Sequence, residues 1–101
     1  MILGLDISTS CTGWCLIDPD KNDIIEMGYI DLSKEKSFLL KAEMVKDDLV
    51  SLYRKNMINR VFIEENLQAF RPGFSSAKTL MTLARFNGII SYLAQQEFYC
   101  S

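Results

Sequence analysis

The apolar residues of this chain fall into short runs at its start and into helical stripes further on. Residues 2–7 are apolar apart from Gly4 and Asp6, which predicts a buried strand. A polar turn at 8–13 separates it from a second apolar run at 14–17, which Asp18-Pro19-Asp20-Lys21-Asn22-Asp23 brings to a halt. Residues 24–32 read as a third strand. Two short connections between three consecutive strands predict an antiparallel meander.

The rhythm then changes. Over residues 37–56, Phe38, Ala42, Val45, Leu49 and Leu52 recur at three- and four-residue steps and predict an amphipathic helix. Val61-Phe62-Ile63 gives a further strand over 60–64, again ending in an acid. After a loop at 68–74, a second helix is predicted over 75–96, and Phe98-Tyr99-Cys100 reads as the start of a fifth strand. The predicted fold is a mixed α/β sheet, with strands 4 and 5 parallel to strand 1 and two crossover helices. With no repeat, linker or low-complexity segment, residues 1–101 read as a single domain.

The chemistry worth attention sits at two strand ends. Asp6 and Glu64 each close a strand that is otherwise apolar, and acids are rarely buried without a partner. If strands 1 and 4 run parallel side by side, their C-terminal ends bring both carboxylates to the edge where α/β sheets bind ligands. Like charges that close require a proton or a cation between them. A hard cation with oxygen ligands, Mg²⁺ or Mn²⁺, suits such a pair. Because side chains alternate along a strand, Glu64 and Glu65 face opposite ways. Glu64 is preferred because it follows the apolar triplet directly, and Glu65 is the alternative.

Composition narrows the possibilities. The chain has 101 residues, is 49% hydrophobic and contains no histidine, which excludes Ser-His and Cys-His catalysis and histidine-bound zinc. Cys11, Cys15 and Cys100 lack the number and spacing of a disulfide framework or a zinc site and read as small buried thiols. No apolar run approaches the roughly 20 residues of a membrane helix, and the first residues lack a signal peptide's basic flank. The cytoplasm is therefore the expected compartment, with no membrane partner. A net charge of −2 counts mildly against duplex binding, although a local basic patch would serve. Asp18-Pro19-Asp20-Lys21-Asn22 superficially matches a calcium loop, but Asp23 and Tyr29 occupy the positions that need Gly and Glu.

Two segments carry a family resemblance. Ile2-Leu3-Gly4-Leu5-Asp6-Ile7-Ser8 with Thr12-Gly13-Trp14 resembles the first motif of RuvC-type Holliday-junction resolvases, especially phage versions. Phe62-Ile63-Glu64-Glu65, the loop through Phe70-Arg71-Pro72-Gly73, and residues 75–96 resemble the second motif and the helix after it. The resemblance implies a ribonuclease-H-like fold, a homodimer, and symmetric nicking of four-way DNA junctions with Mg²⁺ or Mn²⁺. It thus implies a metal-dependent endodeoxyribonuclease of recombination or phage DNA processing, with Asp6 and Glu64 among its catalytic, metal-binding acids. The family's other acids lie on a C-terminal helix that this sequence does not contain. The chain is accordingly expected to be a C-terminally truncated piece, one half of a split protein, or a degenerate relative.

The second helix has two apolar faces. Leu83, Phe86, Ile90 and Leu93 form a bulky one suited to the sheet. Ala77, Leu80, Met81, Ala84, Gly88 and Ser91 form another of mostly small residues, to be covered either by a second subunit or by the first helix. Between the faces, Lys78 and Arg85 join Arg71 as a candidate phosphate-contacting strip, with Phe70 placed to stack on bases of branched DNA. Lys34, Lys36, Lys41 and Lys46 alternate with acids and read as a solvated surface. Two other functions remain open. One is a nuclease-like module that binds DNA or protein without cutting. The other is a fragment of an actin-like ATP-binding kinase, although Ser8 stands where those proteins usually carry a glycine.

Overall fold

The computed structural model describes residues 1–64 and 77–99, with Ala77 and residues 97–99 described in their backbone only. The elements run β1 (Ile2–Asp6), β2 (Cys11–Asp18), β3 (Asp23–Asp31), α1 (Phe38–Lys55), β4 (Arg60–Ile63) and α2 (Ala77–Tyr99). They build a four-stranded sheet in the order β3-β2-β1-β4. β1 to β3 form the predicted antiparallel meander, and β4 lies parallel to β1. A parallel neighbour requires a crossover, which α1 provides.

β2 begins earlier than its polar start suggests. Thr12 sits inside the core with no exposure. Its hydroxyl donates to the Ser8 carbonyl at 3.1 Å and accepts from the Ser8 N–H at 3.4 Å. A buried hydroxyl is tolerable because both of its bonds are made locally. At the other end of β2, Asn22 turns the chain into β3 with φ 53°, a left-handed conformation that asparagine accepts readily.

The first helix follows its signals closely. Ser37 caps it, its Oγ accepting from the Leu40 N–H, and Asn56 closes it by donating from its backbone N–H to Leu52 O. Arg54 and Lys55 in the last turn complement the helix dipole. Ala42, Val45, Leu49 and Leu52 are buried, as the stripe requires. On α2, Phe86, Ile90 and Ala94 are buried, with Leu93 and Ile89 packed at their margin. Phe38 meets Phe86 edge-on at 5.3 Å between centroids, a favourable aromatic geometry that joins the two helices.

Both helices cover one face of the sheet. Leu3, Leu5, Ile7, Leu16 and Ile30 point into the shared core, and Val61 and Ile63 pack against it. The opposite face is open at Met27, Tyr29 and Phe62.

One prediction needs correction. Phe98 and Tyr99 do not begin a fifth strand; they extend α2. Gln95, Gln96 and Glu97 favour helix, and neither glycine nor proline intervenes to stop it, so the helix outlasts the β-preferring aromatic pair. A fifth strand parallel to strand 1 is thus absent from the described residues, and Cys100 lies outside them.

A candidate acidic site on the open sheet face

Strand alternation places the site. With Leu3, Leu5 and Ile7 turned inward, Ile2, Gly4 and Asp6 face the open side. The parallel register pairs Gly4 with Phe62 and Leu5 with Ile63, and the Glu64 N–H continues the ladder by donating to Leu5 O at 3.0 Å. Asp6 and Glu64 therefore stand side by side on adjacent strands, on the same face and at the C-terminal ends of both. They line one cleft of about 500 Å³, together with Gly4, Gly13, Cys15 and Phe62.

The floor around Asp6 is kept low. Its antiparallel partner is Gly13, where a Cβ would stand 3.9 Å from the Asp6 Cβ. Two residues earlier, a Cβ at Gly4 would lie 3.1 Å from the Cys15 sulfur. Larger side chains at these positions would narrow the space over the carboxylates.

Both acids are exposed, and among the described residues neither forms an ion pair with a lysine or arginine. Their oxygen-only donor set fits a hard divalent cation. It is also incomplete: among the described residues no group of three or more acidic, cysteine or histidine side chains converges. Asp31, at the far edge of the same face, is held below the usual aspartate range, first by a hydrogen bond from the Ser33 hydroxyl and then by the Ser33 N–H.

The turn after Asp6 is pinned from three directions. Thr12 closes it from within, the Leu32 N–H donates to Ser10 O, and the Lys41 ammonium reaches from α1 to Thr9 O at 2.6 Å. Lys41 is thus no freely solvated residue, as its alternation with acids suggested; position 41 on α1 brings it over the turn. Periodicity alone could not have revealed this contact, which spans 32 residues of sequence.

The remaining predicted residues divide. Phe70, Arg71 and Glu65 lie outside the described residues. Lys78 is exposed, whereas Arg85 places its guanidinium 5.4 Å from the centre of the Phe38 ring, which ties it to α1. Met81, Ala84 and Gly88 are exposed and Leu80 and Ser91 half-buried, so α1 does not cover the small-residue face. The Ala77 side chain lies outside what is described. Cys11 is exposed and Cys15 half-buried, rather than both being core thiols.

Comparison with known proteins points one way. Over 101 aligned residues the chain is 35% identical to the crossover junction endodeoxyribonuclease RuvC of Aliarcobacter butzleri, covering 96% of this chain and 60% of that protein. The chain is similar to RuvC. A second relative, RuvC of Fusobacterium nucleatum, is 28% identical over 98 residues, covering 95% of this chain and 49% of that one. No family model matches. Among solved structures, T. thermophilus RuvC in complex with Holliday junction substrate superposes with a TM-score of 0.74 at 11% identity, covering 95% of this chain and 58% of that one. Thermus thermophilus RuvC in a second structure gives 0.64 at 13% identity, covering the same shares of the two chains. The mixed four-stranded sheet with two helices is therefore the RuvC, ribonuclease-H-like arrangement. The chain spans about half to three-fifths of the length of the relatives it matches.

Proposed function

We propose that residues 1–101 form a single nuclease domain, part of a Holliday-junction resolvase that hydrolyses phosphodiesters in branched DNA. The observation that carries this reading is the adjacency of Asp6 and Glu64 on the open face of a RuvC-like sheet. In this reading the two carboxylates hold Mg²⁺ or Mn²⁺, with further ligands supplied from outside the described residues. A pair of such ions supplies an activated water and stabilises the leaving oxygen. The protein's own share is positional: β1 and β4 fix the two acids, Gly13 and Gly4 keep the floor clear, and the pinned turn limits movement beside Asp6.

The exposed α2 face of Met81, Ala84 and Gly88, with Leu80, Ser91 and Ala77 beside it, is assigned to a homodimer contact. Small residues there allow a second helix to approach closely. Lys78, with Arg71 and Phe70 of the preceding loop, is assigned to the DNA, and Arg85 to the same edge in addition to its contact with Phe38.

One observation favours a second reading. Only two acids converge among the described residues, which would suit a nuclease-like module that binds branched DNA or a partner protein without cutting. The actin-like kinase reading gains nothing comparable. The turn after Asp6 spends its Ser8 N–H on Thr12, whereas a phosphate-wrapping turn needs its N–H groups free.

The test is a nicking assay on a four-way junction with Mg²⁺, using the longest natural product of the reading frame and its Asp6→Asn variant. Symmetric nicking by the natural protein and a loss of at least about a hundredfold in the variant are expected, in the range of removing a group that stabilises developing charge. Junction binding without any nicking would replace the enzyme reading with the binding-module one.

A further inference from the structure

Glu64 occupies the place where β4 leaves the sheet. Its N–H is held on one side by Leu5 O of β1. On the other side its carbonyl accepts a hydrogen bond from Asn87 Nδ2 of α2 at 3.2 Å. A carbonyl can only accept, so the NH₂ end of the Asn87 amide must face it, and the Oδ1 end is turned away. Ser91, one turn further along α2, donates to Asn87 O at 2.7 Å and lies 3.4 Å from Asn87 Oδ1, beside the other end of that amide.

The bracketing has a direct consequence for the side chain. β4 ends at Ile63, and among the described residues the last ladder bond to β1 is the one from the Glu64 N–H. With that bond alone, rotation about φ of Glu64 could swing its Cα–Cβ bond and its carbonyl together. With the carbonyl also held by Asn87, that rotation is restrained, and with it the direction in which the Glu64 Cα–Cβ bond leaves the backbone beside Asp6. A helix on the covered face thereby governs an acid on the open face.

We propose that Asn87 is a positioning residue for the acid pair: through the Glu64 carbonyl it sets the carboxylate of Glu64 opposite that of Asp6. The proposal rests on the reading of Asp6 and Glu64 as a cation-binding pair. Asn87 itself touches neither substrate nor metal.

The experiment uses the longest natural product of the reading frame, ¹⁵N-labelled, with two readouts on the wild type and on Asn87→Ala. Alanine is a strong helix former and Asn87 is only half-buried, so the variant should fold, which its melting curve checks. The first readout is amide hydrogen exchange. Loss of one hydrogen bond at the strand end should speed exchange of the Glu64 N–H about fivefold to tenfold, leaving Leu3 and Leu5 in the core of β1 unchanged. The second is line broadening by Mn²⁺. In the wild type the broadening should centre on Asp6 and Glu64 together, and in Asn87→Ala it should weaken at both and require several times more Mn²⁺. Faster Glu64 exchange with unchanged Mn²⁺ broadening would make Asn87 a mere tether and overturn the proposal alone. Unchanged Glu64 exchange would overturn it as well. No broadening near either acid in the wild type would overturn the cation-pair reading and the proposal with it.

Discussion

The two faces of the sheet are built from the same strands and lead opposite lives. On the helix side, Leu3, Leu5, Ile7 and Leu16 are closed off from water. On the other side, Met27, Tyr29 and Phe62 are 69%, 72% and 58% exposed around the two acids. An antiparallel sheet with one solvated face usually alternates apolar with polar residues. Here the solvated face is itself largely apolar, broken by glycines and by Asp6, Asp31 and Glu64. Exposed apolar surface of this kind marks a place of interaction. One face therefore supplies the burial that holds the fold, while the other keeps its acids accessible at a site that stability does not demand.

That contrast can be tested by substitutions matched across the sheet. Phe86→Ala removes the largest fully buried side chain and should cost about 3–5 kcal/mol, enough to unfold much of so small a domain, as urea denaturation would show. Gly28→Ala comes next. A Cβ there would sit 2.6 Å and 2.8 Å from carbons of the Trp14 ring, and moving an indole that packs on the core should cost about 1–3 kcal/mol. By contrast, Phe62→Ser on the open face should change stability by no more than about 0.5 kcal/mol, because the ring is mostly in water already. If Phe62→Ser proved as costly as Phe86→Ala, the two faces would not differ as described.

The smallest effect is electrostatic. Asp31 has a carboxyl group held below its ordinary value, so the stability it contributes is present above the unfolded-state value and lost as pH falls through the lower, folded value. Ser33→Ala removes the hydroxyl bond and should return the Asp31 titration, followed by NMR, towards the ordinary aspartate range. A titration unmoved by that change would assign the depression to the backbone bond instead.

Much of this was legible in the sequence because the relevant signals are local. Ser37 and Asn56 flank a stripe of clear helical period, and α1 starts and ends beside them. Asp6 and Glu64 stood out as acids after apolar runs, and strand alternation puts both on one face. What escaped were the residues whose role depends on distant partners. Thr12 looks like part of a polar turn, yet it is buried because the Ser8 main chain satisfies it. Lys41 looks like a solvated charge, yet it bridges to Thr9, and Asn87 looks like an indifferent helix residue, yet it reaches Glu64. The Phe98-Tyr99 pair misled in the other direction. Its preference for strands is weak beside a helix already under way.

The amino terminus of the chain is itself a structural donor. The Met1 ammonium donates to Met57 O at 2.8 Å and to Asn59 Oδ1 at 3.0 Å, while the Asn59 N–H returns a bond to Met1 O. This clasp joins the start of β1 to the connection between α1 and β4, at the opposite end of the strands from Asp6. With Met1 and Asn59 so joined, the register of the two acid-bearing strands, from Ile2 beside Arg60 to Leu5 beside Ile63, is set at the end away from the carboxylates.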